Sequence, residues 1–270
     1  MSTAALHPRP SLDVQVRTRG PVPSFAGSYA ARKIGSLAHL ISRPVLSARV
    51  RLTQCENPSL VRPAVAQATI DINGRIVRAH VASSSMREAV DALEDRLRDQ
   101  LDRLAPDWCS GPDVVIPGQR NPGKGSGRRR SPRRRPDVES RPVPEREIVR
   151  RKSIAMDTLT ADEAAYDLEL LDYDFYLFRL LSTGQDAVLY RTSPLDHRLD
   201  TVHPAPTGTG GGAPHLTCST VAAPRLTTRE AVDRLDHTGL PFVFFADDET
   251  GRGTVLYHRY DGHYGLIEPV

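Results

Sequence analysis

Residues 159–190 read LTADEAAYDLELLDYDFYLFRLLSTGQDAVLY, and residues 226–257 read LTTREAVDRLDHTGLPFVFFADDETGRGTVLY. A shift of 67 positions superposes the two stretches without a gap, with 12 of 32 residues identical. Self-similarity of this kind indicates two copies of one structural unit. In each copy a Thr-x-x-Glu capping box, beginning at Thr160 and at Thr227, predicts the start of a helix. Aromatic residues and a Thr-Gly turn follow, so each copy is predicted to be a short helix and then a β-hairpin.

The two copies are expected to pack against each other. A unit of about 45 residues with one helix and a few strands is too small to bury its sheet alone, and here the second copy is on the same chain. A preceding strand fits the sequence at Ile148–Met156 and near Cys218–Ala223, and the glycine-rich Thr207–Pro214 predicts a flexible tether. Aromatic side chains at strand spacing are candidates for the repeat–repeat contact, with packing inside each copy as the alternative: Phe175, Phe178, Tyr190, Phe242, Phe245 and Tyr257.

The first hundred residues predict a different unit. Asn73-Gly74 between two alternating runs is a strong hairpin signal, and the apolar stripe from Met86 to Leu104 follows helical spacing. The predicted elements are a strand at Leu12–Arg19, a helix from about Ser24 to Ile41, strands at Val45–Gln54, Val65–Ile72 and Ile76–Ala82, and a helix from Ser85 to about Leu104. This β-α-β-β-β-α order predicts an α+β fold with two helices on one face of a mainly antiparallel sheet.

The net charge of +3 conceals segments of opposite sign. Residues 1–105 carry 15 basic and 9 acidic side chains, residues 106–151 carry 12 and 6, and residues 152–270 carry 9 and 18. Net charges of +6, +6 and −9 result, which suggests a polyanionic partner for the N-terminal half alone. The predicted organisation is a disordered leader (1–10), a basic binding domain (11–105), a disordered basic linker (106–147), repeat 1 (148–195), a linker (196–215) and repeat 2 (216–270).

Few features point to an enzyme. The sequence holds no G-x-S-x-G elbow, P-loop, H-E-x-x-H or C-x-x-C motif. His258 and His263, with Cys218 far upstream, lack the spacing of a zinc site, so neither a metal nor a cofactor is expected. The three scattered cysteines indicate a reducing cytosol rather than a disulfide framework, and no apolar run is long enough for a transmembrane helix. We therefore expect a cytoplasmic binding protein without catalytic activity.

The basic domain is the candidate functional site. A unit of this size and charge is expected to recognise phosphate. With Phe25 and Tyr29 as its only Phe or Tyr residues, it lacks the stacking platforms of single-strand readers. Folded RNA is therefore the expected partner, although each helical arginine has a salt-bridged surface as its alternative. The candidate RNA contacts are Arg17, Arg19, Arg32, Lys33, Arg75, Arg78, Arg87, Arg96, Arg98 and Arg103.

Three stretches are similar to one known family. They are the run Glu147–Arg191, the ending DGHYGLIEP (Asp261–Pro269) and, more loosely, the helix MREAVDALEDRLRDQL (Met86–Leu101). On these stretches the chain resembles the long-form bacterial ribosome hibernation promoting factors of the ribosome-associated inhibitor family. It departs from the family pattern in having two C-terminal domains, and in Arg98-Asp99, where an acidic-then-basic pair is common.

The resemblance implies a role for each part of the chain. The basic domain would bind the decoding region of the small subunit, contact 16S rRNA and block mRNA and tRNA. It would thus inhibit translation in stress or dormancy, with Arg96 and Arg103 at basic positions of the last helix. A general RNA-binding or nucleoid protein with an acidic protein-docking module is the alternative.

The second C-terminal copy changes what the resemblance implies for assembly. The family's C-terminal domain usually occurs once and homodimerises, which pairs two ribosomes. Two copies joined by a short tether have an effective concentration of about millimolar, so we expect an internal pseudo-dimer. The factor would then be a monomer on single 70S ribosomes, with ribosomal proteins as candidate contacts of the acidic repeats.

Overall fold

The computed structural model describes residues 12–57, 60–109, 141–193, 196–204 and 215–270. The chain divides into two compact units, one formed by Met1–Asp137 with Leu170–Asp172 and the other by Val138–Glu169 with Tyr173–Val270. The predicted leader (1–10), the tether Thr207–Pro214 and residues 110–140 of the predicted basic linker lie outside the described residues.

The first unit is a four-stranded sheet with two helices packed on one face. Its elements are β1 (Gln15–Arg19), α1 (Ala26–Gly35), β2 (Val45–Gln54), β3 (Ala64–Ile72), β4 (Arg75–Ser83) and α2 (Met86–Cys109), with a 3-10 helix at Ser36–Leu40 after α1. The strands lie in the order β1-β2-β3-β4, with β1 parallel to β2 and the other neighbours antiparallel. The predicted α+β class and element order are confirmed.

Local sequence explains the layers of this unit. Along β3 every second residue is buried, as expected for a sheet that is covered on one face. Asn73 and Gly74 both have positive φ, 52° and 87°, which is the geometry of the two-residue turn that Asn-Gly favours. The last helix, α2, buries the predicted apolar stripe and continues past Leu104 to Cys109, into the segment assigned to the linker.

The second unit contains both repeats and two five-stranded sheets. Repeat 1 supplies β5 (Ile148–Ile154), β6 (Thr158–Leu159), α3 (Ala161–Leu170), β7 (Phe175–Leu180), β8 (Asp186–Arg191) and β9 (His197–Thr201). Repeat 2 supplies β10 (Leu216–Cys218), β11 (Arg225–Leu226), α4 (Thr228–Thr238), β12 (Phe242–Asp247), β13 (Gly253–His258) and β14 (Tyr264–Pro269). In each copy a helix precedes an antiparallel hairpin, so the prediction from the repeated sequence is confirmed.

The first strand of each repeat lies in the sheet of the other repeat. The sheet orders are β10-β9-β8-β7-β6 and β11-β12-β13-β14-β5, and both exchanged strands pair in parallel with their neighbour. The registers are equivalent under the 67-residue shift, because Arg150 is opposite Gly265 and Thr217 is opposite Arg198. Each sheet is therefore completed by a strand from the other repeat.

The strand β9 corrects the predicted linker over residues 196–215. It pairs antiparallel with β8 and is the counterpart of β14 in repeat 2. Across positions 197–202 and 264–269 only Leu199 and Leu266 are identical, and both are fully buried. The strand exists because it completes a sheet, which is a tertiary contact that local sequence does not signal.

Candidate nucleic-acid interface and repeat contact

The uncovered face of the first unit's sheet carries a cluster of arginines. Buried apolar residues on β2 alternate with the exposed Arg49 and Arg51. Exposed Arg17 and Arg19 follow on β1, with Arg17 directly opposite Arg51, and Arg78 on β4 is opposite the same β3 residue as Arg49. Neighbouring strands lie about 4.8 Å apart, so the guanidinium groups are close enough to share one polyanion. We call Arg17, Arg19, Arg49, Arg51 and Arg78 the basic face.

Only part of the basic face is among the predicted RNA contacts. Arg17, Arg19 and Arg78 are predicted and lie on it, whereas the prediction omits Arg49 and Arg51. Alternation of these two arginines with buried apolar residues along β2 is the signal that identifies them. A further predicted contact, Arg75, is exposed at the start of β4 beside the hairpin turn.

Acidic neighbours occupy three of the predicted contacts on the helices, Lys33, Arg96 and Arg98. The Lys33 Nζ atom lies 2.7 Å from Glu94 Oε2 and 3.1 Å from Asp91 Oδ1. Both carboxylates raise the pKa of Lys33 through hydrogen bonds, and the hydrogen bond to Glu94 has the larger effect. Arg98 also donates a hydrogen bond to Glu94, at 2.5 Å. For Lys33 and Arg98, the structure therefore favours the alternative that these residues form salt bridges on the surface of the unit.

The remaining predicted contacts lie on the helical side of the unit. The guanidinium carbons of Arg32 and Arg87 are 5.5 Å and 5.3 Å from the centroid of the Tyr29 ring, within the range of a cation–π contact. Arg96 on α2 is buried, and its Nε atom donates a hydrogen bond to the buried Asp172 at 2.9 Å, so it is not available as an RNA contact. Arg103, seven positions later on the same helix, is exposed. The predicted contacts therefore do not share one surface: Arg17, Arg19 and Arg78 lie on the basic face, and Arg32, Arg87 and Arg103 lie on the helical side.

In the second unit, apolar side chains from both repeats share one cluster. Its buried members are Leu177, Val188 and Val202 from repeat 1 and Phe244, Ala246 and Val255 from repeat 2. Four of the predicted aromatic residues border this cluster. The Phe175 ring centroid is 4.8 Å from that of Phe242 and 5.8 Å from that of Tyr257, and the Tyr190 and Phe242 centroids are 5.2 Å apart.

The other two predicted aromatic residues lie elsewhere. Phe178 is fully buried in a cluster of the sheet that faces α3, and Phe245 is fully buried in the equivalent cluster beside α4. Successive residues of a strand point to opposite faces, so Phe178 cannot share a face with Phe175, three positions earlier. The predicted role of Phe178 and Phe245 in the contact between repeats is therefore wrong. Each packs instead between its sheet and a helix, Phe178 against α3 and Phe245 against α4.

Residues 141–147, predicted as the end of the disordered linker, are ordered: they contain a 3-10 helix at Val143–Glu145, lead into β5 and are anchored on repeat 2. Arg146 Nη1 and Tyr264 Oη both donate hydrogen bonds to Asp236 Oδ1, at 2.8 Å and 2.6 Å. Burial, and then the hydrogen bond to Asp236, raise the pKa of Tyr264 to about 12. The exchanged strand is thus held by side chains as well as by backbone pairing.

Two further classes of site were sought among the described residues. No group of three or more His, Cys, Asp or Glu side chains in those ranges is placed to hold a metal ion. Within the same ranges, no helix is both long and apolar enough to cross a membrane.

Comparison with known proteins identifies the family. The family model described as sigma 54 modulation protein / S30EA ribosomal protein matches residues 22–105, and the model of its C terminus matches residues 143–199 and 218–266. Over 97% of its length the chain is 34% identical to the dormancy associated translation inhibitor of Mycobacterium tuberculosis, of which it covers 90%. The chain belongs to the S30EA ribosomal protein family.

Other relatives are similar over shorter stretches. A ribosome hibernation promotion factor of Deinococcus radiodurans is 28% identical over 60% of this chain and 84% of that protein. Another, from Picosynechococcus, is 27% identical over 52% of this chain and 71% of that protein. Among solved structures, the N-terminal domain of Thermus thermophilus Protein Y is matched over 99% of its length and 34% of this chain, with 20% identity and a TM-score of 0.30.

Proposed function

We propose that this protein is a cytoplasmic ribosome hibernation factor that binds the decoding region of the small subunit and contacts 16S rRNA. It blocks mRNA and tRNA by occupying their site, without performing a reaction, and so inhibits translation in stress or dormancy. Family membership supports this, as do the names of the relatives, a dormancy associated translation inhibitor and ribosome hibernation promotion factors.

The basic face supports RNA as the partner. Four of its five arginines are exposed on two adjacent strands, β1 and β2. None of the four strands of this sheet contains Phe, Tyr or Trp, so they provide none of the large aromatic rings on which single-strand readers stack unpaired bases. Arginine recognises phosphate through paired hydrogen-bond donors. The backbone of a folded RNA presents several phosphates over an extended surface, which several arginines can contact at once. The basic face is therefore suited to a structured RNA.

The exchange of strands between the repeats supports action on single 70S ribosomes. It is the observation that carries this part of the proposal, because each repeat already has its partner inside the same chain. The 14 residues between Thr201 and Leu216 can span up to about 45 Å, whereas the strand they must run back along has five residues, about 17 Å. The link is therefore long enough to join the paired repeats, which form an internal pseudo-dimer.

A salt titration of binding tests the RNA-binding part of the proposal. Affinity for purified 30S subunits and for naked 16S rRNA is measured from 50 to about 300 mM salt, alongside inhibition of cell-free translation. We expect the protein to inhibit translation. We also expect it to prefer the 30S subunit over naked 16S rRNA even at high salt, because salt screens contacts between charges more than contacts that depend on the shape of the subunit. Equal affinity for naked RNA, with translation unaffected, would instead support a general RNA-binding or nucleoid protein and overturn the proposal.

A further inference from the structure

Asp186 and Gly253 occupy the same position in the two repeats, and they touch each other. They begin the equivalent strands β8 and β13 and are 67 positions apart in sequence. The Gly253 amide donates a hydrogen bond to Asp186 Oδ2 at 2.9 Å, and Arg252 Nε donates to the same oxygen at 2.8 Å. Asp186 is only 6% exposed. The carboxylate of one repeat thus has its donors on the other.

The contact is too close to admit a side chain at both positions. A Cβ atom built on Gly253 would lie 2.7 Å from Asp186 Cβ and 2.9 Å from a ring carbon of Phe244. Cβ atoms in proteins essentially never approach a non-bonded heavy atom within 3.0 Å, and the Asp186 Cβ is held in place by its own backbone, so it cannot move aside as the end of a flexible side chain could. One of the two residues at this crossing must therefore be glycine.

Only repeat 2 supplies that glycine, so the possible pairings of repeats are not equivalent. Pairing two first repeats would set Asp186 against another Asp186, which combines the steric clash with two buried carboxylates. Arg179 approaches the Asp186 carboxylate to 3.7 Å from within repeat 1, but this relieves the charge and not the clash. Repeat 1 also has Gln185 where repeat 2 has Arg252, so it brings no second cation to the crossing.

Pairing two copies of repeat 2 would remove the steric clash, but it would also remove the carboxylate that balances the charge of Arg252. Gly253 would then face another Gly253, and two copies of Arg252 would meet without the carboxylate that each now contacts. Pairing repeat 1 with repeat 2 satisfies both requirements at once. The residue differences at this crossing therefore distinguish the mixed pair from either pair of like repeats.

We propose that Asp186 and Gly253, supported by Arg252, form a specificity pair. This pair lets repeat 1 accept repeat 2 as its partner and reject another copy of repeat 1. This inference rests on the proposed internal pairing and deepens it. It means that a second copy of the chain cannot be recruited through contact between two first repeats, even at high protein concentration.

Exchange of the two residues in the full-length chain tests the pair. Because 12 of the 15 aromatic residues follow Lys152, thermal unfolding monitored by near-ultraviolet circular dichroism reports mainly on the second unit. Gly253→Asp is expected to lower the midpoint by about 10 °C or more, as expected for an overpacked buried contact. The double variant Asp186→Gly with Gly253→Asp has the composition of the original chain. It removes the contact with Asp186 Cβ but not the one with Phe244, so it should regain part of that loss.

Two outcomes of this exchange would overturn the proposal. One is a Gly253→Asp midpoint within about 2 °C of the original, because the crossing would then tolerate two side chains. The other is a double variant no more stable than Gly253→Asp alone, because the two positions would then not be complementary.

A single cut in the tether tests the choice of partner directly. A protease site is placed within residues 205–214 of the full-length chain, the folded protein is cut, and native mass spectrometry identifies the complexes. We expect only pairs of one N-terminal and one C-terminal half, and additional pairs of N-terminal halves when the chain carries Asp186→Gly. Pairs of N-terminal halves from the original sequence would overturn the specificity pair. Complete separation of the halves would instead contradict the internal pairing itself, and neither result depends on whether the protein binds ribosomes.

Discussion

The ring of Phe175 lies 4.8 Å from the ring of Phe242, which holds the same place in the second repeat. Equivalent residues of two copies can touch only close to the axis that relates the copies. Asp186 and Gly253 meet in the same way, so two separate contacts locate the centre of the paired repeats. The cluster around this centre draws its buried residues from both copies.

Truncation of either ring should weaken the second unit. Phe175→Ala and Phe242→Ala are each expected to lower the free energy of unfolding by about 2–4 kcal/mol, because each removes a ring from the shared cluster. The double variant should lose less than the sum, by about 0.5–1.5 kcal/mol, since the two rings contact each other. Urea unfolding followed by near-ultraviolet circular dichroism measures all three.

The control for the ring truncations is Leu181→Ala. This side chain is 58% exposed, so its removal should change stability by less than about 0.5 kcal/mol. Additive effects of the two phenylalanine substitutions would contradict a direct contact between the rings.

The basic face should govern affinity for the ribosome. The double variant Arg49→Ala with Arg51→Ala is expected to weaken binding to 30S subunits by about tenfold or more, and to lower the slope of log affinity against log salt by about 2. Both arginines are exposed on β2, so the fold should tolerate their loss. The measurement is a binding titration at several salt concentrations.

A matched pair of arginines serves as the control for the basic face. Arg229 and Arg234 are exposed on α4 in the acidic second unit, and their double substitution by alanine should leave the salt slope unchanged. An unchanged slope for the Arg49 and Arg51 variant would show that the RNA lies on another surface, such as the helical side.

Much of the first unit could be predicted because its signals are local. The strand at Val45–Gln54 has the predicted bounds, since alternation with period two and the Asn73-Gly74 turn both act within a few residues. The partners of β5 and β10 could not be predicted, because no pattern within a strand states which sheet it will join. The strand β9 was missed for the same reason.

The candidate site was predicted less completely than the fold. Charge alone selects Lys33 and Arg98, which both pair with Glu94. The Lys33 pair depends on how two helices pack, whereas the Arg98 pair has the i,i+4 spacing on α2 that the sequence already shows. Strand alternation, in contrast, already separates Phe175 from Phe178 and identifies Arg49 and Arg51. Composition therefore located the basic unit, and the period of each element decides which of its arginines share a surface.

His258 should make the stability of the second unit depend on pH. Burial, and then the nearby Arg146 charge, lower the pKa of His258 below its ordinary value of 6.5, while Asp236 opposes this. The unfolded chain therefore binds a proton more readily than the folded one, so stability is lost as the pH falls below about 6.5. Melting midpoints between pH 7.5 and 5.5 should fall less for His258→Asn than for the original chain. Identical pH slopes for the two proteins would contradict this role.

Sedimentation of 70S ribosomes with the full-length protein tests the central claim that the two repeats pair within one chain and act on one ribosome. At one protein per ribosome, and at low concentrations of both, we predict that the bound protein sediments with single 70S particles and that the disome fraction does not rise. Stoichiometric conversion of 70S particles into disomes at low protein concentration would contradict the account.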